Sequence, residues 1–212
     1  TGVQTCALPI LFVDVDAHTG TMDPVKLQTF LEFHCQRSQI SDALVNLSTG
    51  RRVKAVVPVH LHGYVADMDP ILEIAGEFGL KVVEDASHAH GARYKGRPAG
   101  SLGHAGAFSF HPGQNLGAYG QAGAVVTRDE ALARSVAALR EHGQLRKSVH
   151  STVGWSGHMD GIQGAVLGVK LRYLDGWNAA RRMVAEQYNR RFGDLDNLTC
   201  PAAVDTERHA LH

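Results

Sequence analysis

Two apolar runs, residues 53–61 (VKAVVPVHL) and 81–84 (KVVE), lie one helix length apart, and this pairing constrains the fold more than any other feature. Between them Asp67 or Asp69 can cap a helix, Pro70 fits its first turn, and Ile71, Leu72, Ile74, Ala75 and Phe78 form an inward stripe before Gly79 stops it. The strands are apolar along their length instead of alternating. Strand, helix and strand at this spacing therefore indicate parallel βαβ units in a sheet covered on both faces, an α/β fold class. Ligands of such sheets collect at the carboxyl ends of the strands.

The remaining pattern extends this reading. Residues 11–15 read as a short buried strand, residues 53–61 as an interior strand, and a helix begins at Pro24 with Leu27, Phe30 and Leu31 on its apolar side. Residues 105–110 and 122–127 are two further strands around a Gly-rich turn. Asp129 caps a helix running to about His142, ended by Gly143. Two more helices cover about residues 160–174 and 175–192, the second with Trp177, Ala180, Val184 and Tyr188 at helical spacing. Residues 1–10 (TGVQTCALPI) resemble translated sequencing-adapter DNA and read as a leader foreign to the folded unit. Residues 11–174 then form part of a large domain, and residues 175–212 a connecting helix with the start of a smaller domain.

Charge narrows the partners. The 212 residues carry 21 basic and 21 acidic side chains, so no overall field draws nucleic acid or an anionic membrane. Three separated cysteines, Cys6, Cys35 and Cys200, have no CxxC spacing and suit a reducing compartment, so the cytoplasm is expected.

Chemistry concentrates in two segments. In the first, EDASHAHG at residues 84–91, Asp85 stands at the expected carboxyl edge of the sheet. A carboxylate there can pair with a protonated pyridine nitrogen, or it can cap a short helix beginning at Ala86. In the second, FSFHPGQNLGA at residues 108–118, Ser109 enters a Gly-rich loop. Its hydroxyl suits a phosphate group, or a bond within its own sheet. The chain has no GxGxxG after a strand and no GxxxxGK[ST]. Of the 13 histidines, His60 with His62 and His88 with His90 would share a face in extended segments, but no carboxylate or thiolate completes a recognisable zinc set, and no metal is assigned. GxSxG is absent, with Trp155-Ser156-Gly157 a poor partial match to a hydrolase motif.

Taken in order, residues 84–91, 108–118 and 154–163 (GWSGHMDGIQ), with Lys170-Leu171 and Trp177-Asn178, resemble the DegT/DnrJ/StrS family of sugar aminotransferases. The resemblance runs from about residue 11 to 192. It implies the fold type I architecture of pyridoxal-phosphate enzymes: three αβα layers around a mostly parallel sheet, present here in part, and a homodimer when the chain is full length. It implies pyridoxal 5'-phosphate or pyridoxamine 5'-phosphate as cofactor, with Asp85 as pyridine partner, His88 beside the ring, Ser109 on the phosphate and Ser156 reaching a neighbouring subunit's pocket. A nucleotide-linked keto sugar and an amino donor are the implied substrates.

Gln114 occupies the position where the family carries its Schiff-base lysine. An amide nitrogen gives its lone pair to the adjacent carbonyl, so Gln114 is a hydrogen-bond donor and not a nucleophile, and any cofactor is bound non-covalently. Ser156 and His158 replace the family's usual Asn and Arg, and Gln121-Ala122 replaces a common acidic residue and glycine. Three readings follow: a sugar aminotransferase by family, a lysine-less dehydratase using pyridoxamine phosphate with His88 or His111 as base, and a non-catalytic ligand-binding or regulatory relative.

Overall fold

A computed structural model describes residues 10–200 and 209–212. Most of the proposed leader, residues 1–9, lies outside the described residues.

The predicted strand over residues 11–15 is absent. Only Val15 bridges Met22, and Phe12 is 79% exposed. The reason is local: Asp16 Oδ1 accepts from the His18 and Thr19 amides, which turns the chain back at once. Helix α1 (Pro24–His34) then starts where expected. The Asp23 side chain accepts from the Val25 and Lys26 amides, Pro24 fills the first turn, and Leu27 and Leu31 are buried. A hairpin of β1 (Cys35–Arg37) and β2 (Leu44–Asn46), not anticipated from the sequence, follows.

The central sheet contains β3 (Ala55–Val56), β4 (Lys81–Asp85), β7 (Ala105–Ser109) and β8 (Gly123–Val126), in the order β3-β4-β7-β8. The β3–β4 and β4–β7 pairings are parallel and β7–β8 is antiparallel. Among the described residues β3 lies at the sheet edge, not in its interior, and is shorter than the sequence run. Pro58 has no N–H and interrupts it, yet its carbonyl still accepts from the Asp85 amide, and Val59 bridges Asp85 beyond.

Helix α2 (Met68–Glu77) makes the β3-to-β4 crossover and buries Met68, Ile71, Ile74 and Ala75, the first three worth about 1.5–3 kcal/mol each. Its N-cap residue is Asp67, but the carboxylate accepts from the Tyr94 hydroxyl at 2.6 Å and makes no capping bond. Tyr94 lies in the small hairpin of β5 (Arg93–Tyr94) and β6 (Arg97–Pro98). These side chains, with Val56, Val82 and Leu80, form one core on one face of the sheet. The opposite face carries Val57, Val59 and Val125, which are 46%, 38% and 50% exposed.

Asp129 caps α3 (Glu130–Arg140) as predicted, accepting from the Ala131 and Leu132 amides. A β9–β10 hairpin (Gln144–Arg146 and Val149–His150) leads to α4 (Gly161–Lys170), a short 3-10 turn (Leu171–Tyr173) and α5 (Leu174–Phe192). The inward side of α5 is Leu174 and Asn178, while Trp177, Val184 and Tyr188 remain 37–57% exposed along a cleft. No helix among the described residues is long and apolar enough to cross a membrane.

Candidate active site

The register of β4 against β7 builds the site. Asp85 is the partner of Ala107, so Ser109 stands two residues further along on the same face as Asp85, at the carboxyl edge of the sheet. No helix begins at Ala86. Asp85 instead closes a turn, its Oδ1 accepting from the Ser87 amide at 3.0 Å, and Oδ2 has no partner among the described residues. Ser109 Oγ accepts from the His111 amide at 3.2 Å, which leaves its proton to donate.

His88 follows on the same turn. Its Nδ1 accepts from the His62 amide at 3.3 Å, and its ring stacks against His62 at 5.9 Å and His212 at 4.3 Å. Burial lowers the His212 pKa, and the neighbouring His88 and Arg181 add to the shift, which favours the neutral form of the His212 ring. Gln114 lies in the loop after β7, its backbone amide donating to the His111 carbonyl and its Oε1 buried without a partner among the described residues. With His212, Arg181, Lys170 and Trp177 it lines a cleft of about 740 Å³. His111 is exposed, its Nδ1 taken by the Gly113 amide.

The other face of the same strands holds a feature that the sequence did not reveal. Glu84 is fully buried and accepts from the Gly100, Leu102 and Gly103 amides, each at 2.7 Å, and from His60 Nε2 at 2.9 Å. Burial pushes its pKa up, but the bonds from His60 and the two glycine amides outweigh burial and hold it below the usual carboxylate value. His60 Nδ1 accepts from the Ala66 amide, which assigns the proton to Nε2. His60 and His62 therefore do not share a face: His60 is in the core, and His62, with φ of 53°, turns outward.

His88 and His90 also part. His90 is buried between Phe108 and Phe110 at 5.7 and 5.6 Å, with neither ring nitrogen in hydrogen-bonding geometry to any described residue. Burial lowers its pKa to about 4 against a smaller opposing effect of the Ser109 backbone. No group of three or more His, Cys, Asp or Glu side chains among the described residues could hold a metal.

Ser156 is not brought to this edge. It is exposed and bridges Glu141 just beyond α3, where His158 Nδ1 also meets the Glu141 carboxylate at 3.2 Å.

The fold is that of the fold type I aminotransferases, present in part. The structure of Streptomyces venezuelae DesV, in complex with a ketimine intermediate, superposes with a TM-score of 0.80 at 37% identity, covering 94% of this chain and 49% of that one. A profile of the DegT/DnrJ/EryC1/StrS aminotransferase family matches residues 2–212, and the chain belongs to that family. It is 46% identical over 173 residues to the erythromycin biosynthesis sensory transduction protein EryC1 of Saccharopolyspora erythraea, covering 82% of this chain and 47% of the relative. It is 42% identical over 178 residues to a dTDP-3-amino-3,4,6-trideoxy-alpha-D-glucose transaminase of Streptomyces venezuelae, covering 84% and 47%. The chain thus spans about half the length of the curated relatives it matches.

Proposed function

We propose that this chain is part of an aminotransferase-type protein that acts on a nucleotide-linked keto sugar in the cytoplasm, as a homodimer, and that it holds pyridoxal 5'-phosphate or pyridoxamine 5'-phosphate without a covalent link. One observation carries the reading: the in-register pairing of β4 and β7, with Asp85 and Ser109 on one face at one edge and the Gln114 loop directly after it. The residues fit the ring end of the cofactor. Asp85 has a free carboxylate oxygen for a protonated ring nitrogen and Ser109 keeps a hydroxyl proton for the phosphate, while His88 would give a flat neighbour once His212, stacked on it at 4.3 Å, moves aside. When bound, such a ring would accept the electron pair left on a carbon that loses its proton. Asp85 holds the ring nitrogen's proton in place and Ser109 orients the phosphate. Ser156 serves a pocket across the dimer interface.

Gln114 supports a second reading, in which the protein binds ligand but does not turn it over. Its carboxamide offers no nucleophile, and the unpartnered Oε1 is an acceptor only. The two readings share a cofactor site and differ in turnover.

The test is titration of the chain with pyridoxal 5'-phosphate, followed by quenching of tryptophan fluorescence. Saturable binding that weakens about tenfold or more in Asp85→Ala supports the site. Absence of saturable binding, or equal affinity in Asp85→Ala, overturns it.

A further inference from the structure

We propose that Asn178 is a positioning residue, whose carboxamide ties the turn carrying His88 to the loop carrying Gln114 and so fixes the separation of two walls of the site. The inference rests on the cofactor reading above for its functional meaning, and on the following geometry for its substance.

Asn178 projects from α5 and is 2% exposed; Asn115, beside Gln114, is 4% exposed. Asn178 Nδ2 donates to the His90 carbonyl at 2.7 Å, two residues beyond His88. Its Oδ1 accepts from Asn115 Nδ2 at 3.0 Å, and Asn115 Nδ2 also donates to the Leu211 carbonyl at 2.7 Å. One side chain therefore uses its donor on one wall and its acceptor on the other. Gly91 admits the helix to this distance: it has φ of +82°, and a Cβ there would lie 2.9 Å from Asn178 Nδ2.

Apolar contact already holds α5 in place, since Leu174 packs with Leu116, Ala118 and Leu167. A leucine at position 178 could extend that packing. Two desolvated carboxamides are costly unless bonded, and apolar packing specifies distance less sharply than two directional bonds. The arrangement therefore serves geometry more than burial. Gln114 and His88 each sit within two residues of a bonded atom, so a shift of α5 moves both walls together.

The polarity of the link gives the test. Asn178→Asp keeps the acceptor towards Asn115 and replaces the donor towards the His90 carbonyl with an oxygen. Asn178→Leu removes both bonds and keeps most of the volume. Amide hydrogen exchange read by mass spectrometry on the whole chain should be faster by about tenfold or more over residues 86–92 in Asn178→Asp, with residues 111–118 unchanged. In Asn178→Leu both segments should exchange faster, and in an Asn115→Leu background Asn178→Leu should add nothing over residues 111–118.

Affinity for pyridoxal 5'-phosphate should fall about tenfold or more in Asn178→Leu, whereas Leu167→Ala, which loosens the neighbouring core, should leave it within about threefold. The inference is overturned if Asn178→Asp loosens both segments equally, if Asn178→Leu loosens neither, or if Asn178→Leu binds cofactor as tightly as the parent. If the parent chain binds no cofactor, the functional reading fails, and the exchange pattern still decides whether the link exists.

Discussion

His60 Nε2 lies 2.9 Å from Glu84 Oε2 with both side chains inaccessible to solvent, and three backbone amides complete the carboxylate's shell. The neighbouring residue on the same strand is Asp85. The buried carboxylate therefore anchors the turn of residues 100–103 and the end of β4 from beneath, while Asp85 faces the opposite side. A buried charge is tolerated when its hydrogen bonds are complete, and removing it strands its partners.

Glu84→Ala should accordingly destabilise the chain by about 3 kcal/mol or more, read as a lower denaturation midpoint in urea. The pH dependence has a definite sign. The folded Glu84 pKa is depressed, so its stabilisation is present above the unfolded carboxylate pKa and is lost as pH falls through the folded value. The parent should lose stability in acid more steeply than Glu84→Gln.

His90 acts in a different window. Its folded pKa, about 4, lies below the ordinary 6.5, so between these values the unfolded chain binds more protons. Stability should be full above about pH 6.5 and fall towards pH 4, by at most about 3 kcal/mol. His90→Leu should flatten that part of the profile while leaving the more acidic decline; an unchanged slope would contradict the assignment.

Gly117 closes the loop that carries Gln114. A Cβ there would lie 2.5 Å from the Pro112 carbonyl oxygen, too close for backbone that cannot yield. Gly117→Ala should cost about 1–3 kcal/mol in the urea midpoint and weaken pyridoxal 5'-phosphate binding. Retention of both would show that the loop relaxes freely.

What the sequence made legible was what neighbouring residues decide. The α2 stripe, the Asp129 cap and the existence of β4, β7 and β8 follow from periodicity and short-range hydrogen bonding. The Glu84 shell was hidden because its donors come from residues 100–103, brought under β4 only by folding. The His60 and His62 pairing failed because one positive φ at His62 breaks the alternation of an extended segment. For α5, apolar spacing pointed to Trp177 and Val184, whereas the most buried positions include Asn178, a polar residue whose partners lie 63 and 88 residues away. The family resemblance singled out Asp85, His88, Ser109 and Gln114, and the strand register places Asp85 and Ser109 on one face.

The most direct test of the central claim is peptide mass mapping after incubation with pyridoxal 5'-phosphate and reduction by borohydride. The parent chain should carry no adduct at the site, and Gln114→Lys should carry one at position 114, because on the proposed reading the site then presents an amine to a ring held by Asp85, His88 and Ser109. A stable adduct on another residue of the site in the parent chain, or none at position 114 in a folded Gln114→Lys, would contradict the account.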